Sequence, residues 1–124
     1  MPKKKPKLGY DSRGGVLAVS RAMRESKAYE SMPATAKVLM DLLQMQWRNE
    51  KPIGYGVREA SQKIGCSKDT AAKAFKVLQE RGFIVCQEEA LFNSKTGSKT
   101  RDWRLTWMPF DFKNPTHNWE KWTL

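Results

Sequence analysis

Histidine occurs once in this sequence, at His117, and cysteine twice, at Cys66 and Cys86. Those three positions have no spacing that assembles a four-ligand zinc set. Two thiols without a disulfide framework read as reduced cysteines of a cytosolic protein. His117 sits in a polar stretch without the local support that a Ser-His-Asp system requires. No glycine-rich loop with the spacing of a phosphate cradle appears. These absences point away from an enzyme and leave no metal and no cofactor to expect. Long apolar runs are missing as well. None approaches the ~20 residues that span a bilayer, and the first residues lack the apolar stretch of a secretory signal. No membrane partner is therefore expected, and the expected location is the cytoplasm, in association with the nucleoid.

The scarcest class is acid. Asp and Glu total 13 against 23 Lys and Arg, a formal net charge of +10 on 124 residues. Such an excess attracts polyanions at long range and makes nucleic acid the first partner to consider. The length suits one domain, and the 40% hydrophobic content supports a modest core.

Residues 1–15 hold Lys3, Lys4, Lys5, Lys7 and Arg13 against the single acid Asp11, with two prolines and three glycines. A stretch this poor in apolar side chains reads as a flexible basic arm, suited to lie along phosphates. From Val16 a short β-branched patch leads into helix, with Ala22, Met23 and Tyr29 available for packing. Pro33 fits the first position of the next helix, where its missing N–H is no loss. Ala36, Leu39, Leu42, Leu43 and Trp47 then recur at helical spacing, and the stretch 48–56 breaks the pattern with Pro52, Gly54 and Gly56.

The most informative stretch is 57–107. Val57, Ala60 and Ile64 mark one face of a helix that Gly65 stops. Ser67 caps the next, whose Ala71, Ala74, Phe75 and Leu78 form an apolar face. Two short helices joined by "GCS" make a helix-turn-helix, whose second helix enters the major groove with its N-terminal end foremost. Residues 83–87 then read as a strand. Residues 101–107 alternate, with Trp103, Leu105 and Trp107 inward and Asp102, Arg104 and Thr106 outward. Between them lies a polar tip. Helix, turn, helix, strand, basic tip and strand describe a helix-turn-helix with a β-hairpin wing. The expected DNA contacts are Ser67, Lys68, Thr70, Lys73 and Lys76 on the second helix, with Arg58 on the first. On the wing they are Ser94, Lys95, Ser98, Lys99 and Arg101, and on the arm Lys3, Lys4 and Lys5. Lysine is a point charge, less suited than arginine to bidentate base reading, so most of these contacts should position the backbone. Lys73 is expected to come nearest a base.

"SKDTAAKAFKVLQERGFI" resembles the motif of winged helix-turn-helix proteins of bacteria and their phages and plasmids. That group commonly reads Ser-Arg-x-Thr and a small residue, a Leu-x-x-Leu-like stripe, then Glu-x-Gly-hydrophobic. "AYESMPATAKVLMDLL" is similar to the upstream helix of the group, and "DWRLTWMPFD" and "PTHNWEKW" resemble small helix-turn-helix proteins of bacterial mobile elements. The likeness runs from about Ala28 to Trp122. It implies that Ser67, Lys68, Thr70 and Lys73 touch DNA. Ala72 departs from the pattern, since some relatives carry a base-reading arginine there, which implies few direct base contacts.

The expected architecture is thus α+β: a basic arm over residues 1–15, a winged helix-turn-helix domain over 16–107 with a three-helix core, and an aromatic extension over 108–124. The extension, with Phe110, Phe112, Trp119 and Trp122, packs on the domain or on a partner such as a second copy in a homodimer. The expected function is sequence-specific binding of double-stranded DNA, as a transcriptional regulator or as a replication or excision factor of a mobile element. The rival readings are a protein-interaction module on the same scaffold and a binder of single-stranded nucleic acid or RNA.

Overall fold

The computed structural model describes residues 15–89 and 101–123. Two single-turn helices come first, α1 (Arg21–Arg24) and α2 (Lys27–Glu30). Each is short because a serine restarts the chain. Ser20 Oγ accepts from the Met23 N–H at 3.4 Å, and Ser26 Oγ accepts from the Tyr29 N–H at 3.2 Å. The longer α3 (Ala34–Met45) follows. Pro33 does not occupy its first turn, as its ring would allow. With φ −58° and ψ 149° it is still extended and stands at the cap, one residue earlier. Ala36, Leu39, Met40 and Leu43 form the buried stripe of α3, while Leu42 and Trp47 are only half-buried. Gln44 is buried too, and both ends of its amide are used. Its Nε2 donates to the Ala18 carbonyl at 2.8 Å, and its Oε1 accepts from Trp107 Nε1 at 3.0 Å. A buried amide is tolerated on that condition.

Next come β1 (Ile53–Gly54), α4 (Val57–Ile64), α5 (Lys68–Glu80), β2 (Ile84–Glu89), β3 (Arg101–Leu105) and a 3₁₀ turn over Asn118–Lys121. The three strands form one antiparallel sheet in the order β1-β3-β2, with Ile53 opposite Trp103 and Ile84 opposite Leu105. The register slips between Cys86 and Glu88, where a bulge inserts one residue. The sequence gives no sign of β1, which lies within the segment 48–56 that reads as a simple break. The result is a mixed α+β fold of five α-helices and a small sheet. Leu39, Leu43, Leu78, Phe83 and Ile84 lie at its centre, each at most 1% exposed. The thiols of Cys66 and Cys86 are unbonded.

The chain after β3 turns back onto the same core. Trp107 and Trp119 are buried against Phe83. Trp119 stacks on its ring at 6.2 Å and 11°, and Trp107 meets it edge-on at 6.3 Å and 77°. Thr106 corrects the alternation expected for 101–107. It is fully buried rather than outward, because the strand ends at Leu105 and the two-residue period ends with it. Its hydroxyl donates to the Gly82 carbonyl at 2.6 Å, and its N–H donates to the Phe83 carbonyl at 2.9 Å. Gly82 itself takes φ +83°, and a Cβ there would lie 2.8 Å from the Asn118 carbonyl carbon. Only glycine allows this approach. Arg81 ties three segments together. Its Nη1 donates to the Ala28 carbonyl at 2.7 Å and to Ser31 Oγ at 2.6 Å, and its guanidinium covers the Trp122 ring at 4.3 Å. Phe112 stays outside. It is 74% exposed on a tight turn with Asp111, both at positive φ, held by Asn49 through its carbonyl and Oδ1.

Candidate functional site

The geometry of α4, the turn and α5 follows from two residues. Gly65 adopts φ +83°, a left-handed conformation that costs other residues roughly 1–2 kcal/mol. The N–H groups of Gly65 and Cys66 then both reach the Ser61 carbonyl, at 2.9 and 3.0 Å, and α4 ends. Ser67 starts α5 two residues later. Its Oγ accepts from the Thr70 N–H at 3.1 Å and donates to Thr70 Oγ1 at 3.0 Å. This cap leaves the N–H groups of the first turn directed outward, at the positive end of the helix dipole.

Ala71, Ala74, Phe75 and Leu78 fix the roll of α5 by burying one face in the core. At 3.6 residues per turn, the opposite face then carries Lys73 and Lys76, with Lys68 at its edge. All three are exposed. Asp69 and Glu80 lie on the same side, so the face is basic but not purely so. Among the described residues, the ion pairs are Arg21–Glu25 and Arg24–Asp41, both remote from α5. Thr70 is partly buried, toward the flank away from Lys68. Arg58 is exposed on α4, where its carbonyl accepts from Ser61 Oγ at 2.9 Å. Arg101 is exposed at the start of β3. Lys3, Lys4, Lys5, Ser94, Lys95, Ser98 and Lys99 lie outside the described residues.

A second feature was not legible in the sequence. Beside α5 lies a cleft of about 400 Å³, between Ala72, Lys76 and Gln79 of the helix and Tyr55, Trp103 and Arg101 of the sheet side. Its floor is aromatic. Phe75 stacks on Trp103 at 5.5 Å and 23°, and Tyr55 leans on Phe75 at 6.4 Å. Burial holds the Tyr55 phenol above its ordinary pKa of 10.0, and the nearby Glu59 carboxylate adds to this. Among the described residues, no cluster of three or more His, Cys, Asp or Glu side chains could hold a metal ion, and no helix is long and apolar enough to cross a membrane.

A small mixed α+β fold that presents one lysine-bearing helix is the class that fold and site define. Comparison with protein-family models, curated proteins and solved structures gives no match for this chain.

Proposed function

We propose that this chain is a winged-helix protein that binds double-stranded DNA. In this reading α5 enters the major groove, and the hairpin of β2 and β3 serves as the wing. The observation that carries it is the roll of α5: the core takes Ala71, Ala74, Phe75 and Leu78 and so turns Lys73 and Lys76 outward, with Lys68 beside them. A three-residue turn ties that helix to α4, which presents Arg58. The first-turn N–H groups of α5 suit a phosphate, although Asp69 opposes one there. Ser67 serves the cap and Thr70 accepts its hydroxyl, so base reading falls mainly to Lys73. Arg58, Lys68, Lys76 and Arg101 hold the backbone, and Lys3, Lys4, Lys5, Ser94, Lys95, Ser98 and Lys99 extend the phosphate contacts. The chain acts as a non-enzymatic regulator, or as a replication or excision factor of a mobile element, at the nucleoid. A homodimer would set two such helices on adjacent half-sites.

The test is a footprint of the protein on the DNA upstream of its own gene, with single-stranded DNA as competitor. Protection that survives an excess of single strand supports the reading. Protection abolished by single strand, or none on any duplex, overturns it.

A further inference from the structure

The cleft beside α5 is separate from the outward lysine face and has its own chemistry. Its volume of about 400 Å³ falls within the usual range of small-molecule pockets. Its floor offers only aromatic carbon. Trp103 spends its one donor inward, on the Tyr55 carbonyl at 3.3 Å. Ala72 contributes only a methyl group to the helix wall, which leaves room over the Phe75 and Trp103 rings. The polar groups stand around that floor: two cations, Lys76 and Arg101, and the amide of Gln79. No carboxylate lines the cleft, and its tyrosine stays uncharged at neutral pH.

We infer that this cleft binds a small planar aromatic anion, its ring lying against Phe75 and Trp103 and its negative group held by Lys76 and Arg101. An aromatic ring gains from offset contact with other rings. A carboxylate or phosphate gains from two cations beside an apolar wall, where water screens them less. An aryl carboxylate and a mononucleotide share this chemistry. Lys76 takes part in both the cleft and the duplex face, but the cleft can be measured on protein without nucleic acid. The two readings therefore stand or fall separately.

The experiment titrates the full chain with indole-3-acetate, with thymidine 5′-monophosphate and with the uncharged indole-3-acetamide, followed by calorimetry and by amide NMR. Saturable binding of one or both anions is expected, with shifts at Tyr55, Phe75 and Trp103 and at least tenfold weaker binding of the amide. Which anion binds identifies the ligand's source. Ala72→Met fills the cleft from an exposed helical position with a good helix former. It should keep the melting temperature and weaken binding at least tenfold. Lys76→Gln should also weaken it tenfold without touching the core. No saturable change with either anion overturns the inference. So does equal affinity for the amide, or undiminished binding by folded Ala72→Met and Lys76→Gln.

Discussion

At the scale of single residues, neighbours on α5 have opposite duties. Lys73 is exposed, so Lys73→Ala should change stability by less than about 0.5 kcal/mol. On the proposed duplex reading it should cost about 1–3 kcal/mol of specific binding. Phe75 is 6% exposed, and Phe75→Ala should instead cost about 3–5 kcal/mol of stability. Thermal melts and duplex titrations of both variants distinguish the roles, and a Lys73→Ala protein that melts early would mean that α5 is rolled differently. Gly82→Ala places a methyl group against the Asn118 backbone at 2.8 Å and forces alanine to positive φ. The left-handed conformation alone costs roughly 1–2 kcal/mol, so the loss measured by chemical denaturation should exceed that. Tyr55 gives a pH signature. Its folded pKa is raised, so the folded state keeps a proton that the unfolded chain releases. The stabilisation is complete below the ordinary value of 10.0 and is lost as pH rises through the folded value. Denaturation on either side of that pH should show a shallower alkaline decline for Tyr55→Phe than for the parent.

At the scale of elements, Ser67 both starts α5 and stands beside the proposed phosphate. Ser67→Ala removes the cap and should cost about 1 kcal/mol. Ser67→Asp restores a capping oxygen and should recover that stability, yet it adds a negative charge and should weaken duplex binding. If denaturation and titration gave the two variants the same rank in both properties, the cap would not face the duplex. The pair α4–α5 was legible because its signals are local: Gly65 for the stop, Ser67 for the start, and an apolar stripe at helical spacing between Ala71 and Leu78. The strand β1 was not legible. Two residues carry no alternation, and Ile53 becomes a strand only because Trp103, far along the chain, pairs with it. Thr106 was misread for a related reason: the alternation held to Leu105, and only the bond to Gly82 turns the next side chain inward. The cleft was invisible because Tyr55, Phe75 and Trp103 come from three separate elements. The lysines of α5 could be placed outward from sequence because their partners in the pattern are four residues away.

For the whole molecule, charge is the controlling quantity. A net +10 should make duplex affinity fall steeply with salt, by about 0.9 in log K per phosphate per unit of log salt. An arm, a helix and a wing should together neutralise on the order of five phosphates or more. Titrations from low to physiological salt measure the slope, and a flat line would remove phosphate binding from the account. The back of the molecule has a different consequence. Phe83 closes the helical half of the chain, but the ring that covers it belongs to Trp119, more than thirty residues later. At ribosomal speeds of about 5–20 residues per second, a nascent chain holds that phenylalanine uncovered for some seconds. During that interval the helices are complete, yet an aromatic surface is open to any other emerging chain. Overproduction should therefore favour inclusion bodies at high translation rates, and slower synthesis in the cold should return the protein to the clarified lysate.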